Sequence, residues 1–284
     1  MNYRELSKLI TLIETDPLMG RENLKNMSKK DSMVVGITGS PGAGKSTLVD
    51  KLIEYFRSNG KTVGVIAVDP SSPFSGGAFL GDRIRMKRHF TDDGVFIRSM
   101  ASRGSLGGVN DSVFDVVEAY KVYGFDVILI ETVGAGQTEV EIAYVAQTVV
   151  LVLSPGSGDE VQMLKAGIME IADVFVVNKS DQLGADALVL SIRAMLEISE
   201  RKGWVPPIIQ TVATIGKGIK ELAKAIEDHH NYLIKSGEME KRRIRSEKKH
   251  AEHIMMNKIR EMIDNSQGNN LEEIMEDVKK GLCG

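Results

Sequence analysis

The chain has 284 residues, room for one large α/β domain with appendages or at most two ordinary domains. Its 42% hydrophobic and 26% charged residues exclude a disordered or fibrous chain, and a net charge of −3 argues against a general nucleic-acid partner. One cysteine, Cys283, excludes an internal disulfide and a cysteine metal cluster; no apolar run approaches the roughly 18 residues of a membrane span, and Met1–Leu6 shows no signal-peptide core, so a cytoplasmic protein without membrane contact is expected.

Residues 3–14 place Leu6, Leu9, Ile10 and Ile13 at helical spacing, and Pro17 opens a second, more polar segment reaching Lys30. Both predict a helical N-terminal arm over residues 1–30. From Met33 the pattern changes to short β-branched runs separated by helical stretches: 33–38, 62–68, 95–99, 127–130, 148–153, 174–178 and 207–211. Strands that are apolar throughout and alternate with helices predict a mostly parallel α/β sheet covered on both faces, spanning 31–227. In such sheets ligands gather at the carboxyl ends of the strands. The polar signatures fall at those ends.

The first strand runs into Gly39-Ser40-Pro41-Gly42-Ala43-Gly44-Lys45-Ser46-Thr47, a G-x-x-x-x-G-K-[ST] loop that opens a helix. Strand, glycine-rich loop and helix in that order mark a P-loop. The glycines allow backbone N–H groups to turn inward around phosphate, and the helix N-terminus adds its positive end to the same point. Lys45 is expected to reach the β- and γ-phosphates and Ser46 to ligate Mg²⁺.

The second strand ends in Asp69, followed by a turn-rich loop, and Asp82 follows Gly81. Each aspartate reads as a Mg²⁺ carboxylate, or Asp69 as a turn residue before Pro70 and Asp82 as a helix cap. A further glycine-rich stretch carries Arg103, either a phosphate or partner contact or a solvated loop residue. The strand over 126–130 closes on Glu131, the position of a Walker-B carboxylate. Beyond it, Gly134 could offer its N–H to the γ-phosphate, while Gln137, Glu139 and Glu141 are water-positioning candidates or the exposed start of a helix.

After Leu153 comes another loop, 154–165, that opens a helix and carries Asp159 and Lys165. The next strand delivers Asn178-Lys179-Ser180-Asp181. A carboxylate at Asp181 can accept the ring N–H and exocyclic amine of guanine, whereas adenine would leave it unpaired, a steep basis for discrimination. The last strand leads to Val212-Ala213-Thr214, whose backbone is expected to close over the base. Beyond about 218 the pattern is helical, with a basic run from Lys241 to His250 that reads as a solvated helix face, and residues 228–284 are expected to form an oligomerisation or partner arm. His250 and His253 lie three apart without a third ligand to complete a metal set.

With the P-loop, the Val68-Asp69-Pro70-Ser71-Ser72-Pro73-Phe74 loop, Glu131-Thr132-Val133-Gly134 and Asn178-Lys179-Ser180-Asp181 in view, the chain resembles the MeaB / ArgK / MMAA GTPases of the SIMIBI class over nearly its whole length. The resemblance implies a homodimeric GTPase that binds GTP/GDP and Mg²⁺ and acts as a chaperone for adenosylcobalamin-dependent methylmalonyl-CoA mutase. By that resemblance Lys45, Asp82 and Glu131 are the catalytic candidates, and Ser46, Asp69, Asp82 and Glu131 surround Mg²⁺. It also assigns Asn178, Lys179, Asp181 and Val212–Thr214 to the base, and 154–165, with Lys165, to a third switch facing the mutase. Two other readings are a nickel-insertion metallochaperone GTPase, which the lone Cys283 disfavours, and a kinase of an arginine/ornithine transport system. Val212 departs from the Ser that usually begins the base loop, which leaves a backbone contact there and not a side-chain one.

Overall fold

The computed structural model describes residues 2–69, 86–101, 112–132, 138–156, 168–198, 203–268 and 270–283. They fall into two compact units, Met1–Met239 and Glu240–Gly284.

In the first unit, seven described strands form one parallel sheet: β1 (Met33–Gly39), β2 (Val63–Asp69), β3 (Val95–Ala101), β4 (Val127–Thr132), β5 (Thr148–Leu153), β6 (Val174–Val177) and β7 (Ile208–Gln210), in the order β3-β2-β4-β1-β5-β6-β7. β1 sits mid-sheet between β4 and β5, with Ile37 opposite Glu131 on one side and Val150 on the other. The chain leaves β1 first for the β2 side of the sheet and later for the β5 side. That reversal of direction at β1 makes the carboxyl end of β1 the natural crevice of the fold.

Alternation along the strands divides the core. Met33, Val35 and Ile37 of β1, with Val150, Val152, Val174 and Val176, pack against α3 (Lys45–Ser58) and α8 (Ile219–Ser236). The opposite face receives α1 (Tyr3–Thr15), α2 (Pro17–Leu24), α4 (Ser112–Val122) and α5 (Thr138–Val145) over β1, β2 and β4. α6 (Ile168–Ile171) and α7 (Ala185–Ile198) cover Leu151, Leu153, Phe175 and Val177. Fully apolar strands are therefore buried on both faces, as the β-branched runs require.

The N-terminal helices are part of this core. Asn2 accepts the Glu5 N–H, and the Asp16 side chain accepts the Met19 N–H ahead of Pro17 in the first turn of α2. Leu6, Ile10 and Ile13, on one face of α1, are wholly buried; each contributes about 2 kcal/mol of burial.

At the amino edge of the sheet, far from the carboxyl ends, a buried polar cluster ties α8 to β5 and β6. Thr148 Oγ1 lies 2.9 Å from His229 Nδ1, and His229 Nε2 lies 3.3 Å from Asp173 Oδ1. Asp173 Oδ2 accepts the Val149 N–H at 2.9 Å, its carbonyl accepts Trp204 Nε1–H at 2.8 Å, and the Trp204 ring lies 4.9 Å from that of His229.

The second unit holds most of α9 (Glu238–Asp264) and all of α10 (Leu271–Cys283). Arg243 pairs with Glu240 and Glu247 one turn away on either side. Asn270 and Glu273 cap α10 reciprocally: Asn270 accepts the Glu273 N–H at 3.1 Å and donates its amide to the Glu273 carboxylate at 2.9 Å. A Cβ at Gly281 would meet Met262 Sδ at 3.1 Å, so α9 and α10 approach closely. No helix among the described residues is long and apolar enough to cross a membrane.

Candidate functional site

The loop from Gly39 to Gly44 turns the chain from β1 into α3. Gly42 and Gly44 have φ of 76° and 94°, left-handed conformations that cost a side-chain-bearing residue energy. Space forbids a side chain at Gly44 as well, because a Cβ there would lie 2.3 Å from Asn178 Nδ2. Gly44 caps α3 without any side-chain bond, and the N–H groups of a first helical turn have no intrahelical acceptors. The result is a helix N-terminus with no side-chain cap among the described residues, wrapped by glycine backbone, the arrangement that binds phosphate.

Lys45 is buried, and its ammonium donates to the Gly39 carbonyl at 2.7 Å and the Ser40 carbonyl at 2.9 Å. These contacts fold the side chain back across the loop. Ser46, next in the helix, donates its hydroxyl to Glu131 Oε1 at 2.6 Å. The register explains the meeting: Glu131 stands opposite Ile37 and shares its side of the sheet with α3. A hydroxyl and a carboxylate, both hard oxygen donors, thus converge beside the loop, and that donor set fits Mg²⁺. On the other side of the same strand ends, Thr132 Oγ1 donates to Thr38 Oγ1 at 3.0 Å, with both residues buried.

Asn178 joins the Gly39–Gly44 loop to the turn that begins at Val212. Its amide donates to the Ala43 carbonyl at 2.8 Å, and its Oδ1 accepts from Thr211 Oγ1 at 3.0 Å and the Ala213 N–H at 3.1 Å. Lys179 follows at φ 55°, the one left-handed non-glycine residue described, and Asp181 is exposed. The Ser180 N–H binds the Thr211 carbonyl, and the Val212 N–H binds the Lys217 carbonyl. Val212 is itself buried, Ala213 lies beneath the loop in a short 3-10 turn, and Thr214 is exposed.

The far end of the β2–β3 connection also meets the P-loop helix. Arg88 and His89 both contact the Asp50 carboxylate of α3, His89 through Nε2 at 2.9 Å. Burial, reinforced by the Arg88 charge, holds the His89 pKa below its usual value.

The fold therefore brings Gly39–Thr47, Glu131, Asn178–Asp181 and Val212–Thr214 to one sheet edge. The side chain of Asp69 lies outside the described residues, as do Asp82, Arg103, Gly134, Gln137, Asp159 and Lys165 and the side chain of Glu139. Two features of the site escape sequence reasoning. Thr211 shares Asn178 with Ala213, and Thr38 and Thr132 form a hydroxyl pair; the only local signal is a polar residue at the end of an apolar strand.

A family model described as Methylmalonyl Co-A mutase-associated GTPase MeaB matches residues 6–268. A Pyrococcus horikoshii protein whose name ascribes GTPase activity to it is 55% identical over 251 residues, covering 86% of this chain and 79% of that protein. The mouse methylmalonic aciduria type A homolog, a mitochondrial protein, is 36% identical over 248 residues, covering 84% of this chain and 59% of that protein. A solved LAO/AO transport system kinase matches with a TM-score of 0.71 and 25% identity, covering 98% of this chain and 93% of that one.

Proposed function

The chain belongs to the MeaB family of methylmalonyl-CoA mutase-associated GTPases, and from that premise we propose that it is a GTP-hydrolysing chaperone that gates adenosylcobalamin loading into the mutase and protects the mutase from inactivation. The observation that carries the reading is the Asn178 bridge. It ties the Gly39–Gly44 loop to the turn at Val212–Thr214, with the Ser46–Glu131 pair beside the first of them.

In this reading the first turn of α3 and the glycine backbone bind the phosphates, and Lys45 exchanges its Gly39 and Ser40 carbonyl partners for β- and γ-phosphate oxygens. Mg²⁺, when bound, neutralises charge that develops on those oxygens. Ser46 and Glu131 would hold it, with Asp69 and Asp82 as further carboxylates. Asp181 reads the guanine edge, and the backbone of Val212–Thr214 closes over the base. Gly134 and Gln137, and the 154–165 stretch with Asp159 and Lys165, relay the state of the γ-phosphate to the mutase. Residues 228–284 serve a homodimer. Hydrolysis is slow without a partner, as in switch GTPases that lack a positioned arginine.

The test is calorimetric titration of GDP and ADP, with Mg²⁺, into the wild type and Asp181→Ala, followed by capture of the mutase with GDP or a non-hydrolysable GTP analogue. Guanine selectivity lost in Asp181→Ala and nucleotide-dependent capture support the reading. Equal binding of ADP overturns the base assignment, and capture indifferent to nucleotide overturns the chaperone assignment.

A further inference from the structure

The Thr38–Thr132 pair lies where the phosphate loop and the Glu131 strand diverge. The β1–β4 ladder ends at Ile37 opposite Glu131, and the next residue on each strand is one of these threonines. Side chains alternate along a strand, so Ile37 and Glu131 face α3 while Thr38 and Thr132 face the other side. Thr132 donates to Thr38 across the strands at 3.0 Å, and the two residues are 1% and 0% exposed. The bond extends cross-strand pairing one residue beyond the backbone ladder. Immediately after it, Gly39 enters the phosphate loop on one strand, and on the other strand the preceding residue presents its carboxylate to Ser46.

We propose that the Thr38–Thr132 hydroxyl pair is a positioning device that sets Glu131 against Ser46 and so tunes the affinity of the site for Mg²⁺ and for Mg²⁺-nucleotide. The inference rests on the reading of Ser46 and Glu131 as the cation's holders. A bulk packing role would not require hydroxyls, because valine has the same shape. A threonine pair buried on apolar strands is costly unless each hydroxyl finds a partner, and here the partner ties the strand that carries Glu131 to the strand that leads through the loop into the helix carrying Ser46. Neither threonine touches Glu131 or Ser46 in the contacts described above. The pair acts through the backbone, much as outer partners orient metal ligands.

The test uses the full chain and fluorescent GDP. Replacing both hydroxyls by apolar groups of equal shape is close to neutral for stability, so Thr38→Val/Thr132→Val separates positioning from folding, and a melting temperature verifies that it does. The double variant is expected to raise the Mg²⁺ concentration for half-maximal retention of fluorescent GDP by about tenfold, the lower end of outer-partner effects. Thr132→Ser, which keeps the hydroxyl, is expected to restore the wild-type value. Glu131→Gln serves as the reference for the site itself. A double variant with wild-type Mg²⁺ dependence, while Glu131→Gln shifts it, overturns this inference alone. Failure of Thr132→Ser to recover the wild-type value also overturns it, since the methyl and not the hydroxyl would then matter. If Glu131→Gln shifts nothing, the cation reading falls and the inference falls with it.

Discussion

Asn178→Ala probes the joint that makes one site out of two loops. The substitution removes a donor to the Ala43 carbonyl and an acceptor shared by Thr211 Oγ1 and the Ala213 N–H, all three bonds lying in a buried setting. At about 1 kcal/mol for each bond the loss is about 3 kcal/mol. A residue at 3% exposure leaves little room for water to replace it. Spread over a unit of this size, that corresponds to a fall in melting temperature of about 6–12 °C. To the extent that the loops separate only in the variant, the same energy appears in nucleotide binding, with an upper bound of about 150-fold in GDP affinity. Differential scanning calorimetry gives the first quantity and isothermal titration with GDP the second. Asn178→Asp keeps the acceptor but turns a carboxylate oxygen toward the Ala43 carbonyl, so it is expected to lose at least as much. An alanine variant within about 0.5 kcal/mol of wild type, binding GDP normally, would refute the bracing argument.

Gly44→Ala places a Cβ 2.3 Å from Asn178 Nδ2 at a φ of 94°, so GDP binding is expected to be abolished in a titration while far-UV circular dichroism is retained. His229→Ala opens a cavity and removes the partner of Thr148 Oγ1 and of Asp173 Oδ1 at the amino edge; we expect about 3 kcal/mol of destabilisation in urea, read by the fluorescence of Trp204, the protein's one tryptophan, with GDP affinity of the folded protein unchanged. Burial pushes the Asp126 pKa up, but the Lys30 ammonium and the N–H and hydroxyl of Thr62 overcome this and bring it down to about 2. A depressed folded pKa gives stability that is present above the unfolded value of 3.8 and lost as pH falls through about 2. The stability gap between wild type and Asp126→Asn should therefore be widest above pH 4 and narrow toward pH 2; a gap constant with pH would contradict it.

What is legible in the sequence is what local chain rules decide. The P-loop and N-K-x-D segments can be read because strand, turn and helix succeed one another within about a dozen residues and the glycines sit where backbone geometry needs them. The strands can be read because apolar β-branched runs suit only a sheet covered on both faces. Strand order cannot be read this way. β4, not β2, lies beside β1, and this alone brings Glu131 to Ser46, 85 residues away, and Thr132 to Thr38, 94 residues away. The partners of Asn178 follow from the same long-range order, since Ala43 is 135 residues distant. His229 had a fainter signal: it shares a helical face with Leu222, Ile226 and Leu233, where a polar residue implies a buried partner, but Asp173 and Thr148 belong to other elements.

Coupling between the GTPase cycle and cofactor delivery to the mutase is tested most directly by transfer of adenosylcobalamin to cofactor-free methylmalonyl-CoA mutase, followed by the cobalamin absorption spectrum. With this protein and GTP, loading is predicted to proceed; with a non-hydrolysable GTP analogue it is predicted to stall, and with Asp181→Ala it is predicted to be the same with either nucleotide. Loading at the same rate and extent with and without the protein, whatever the nucleotide, would contradict the account.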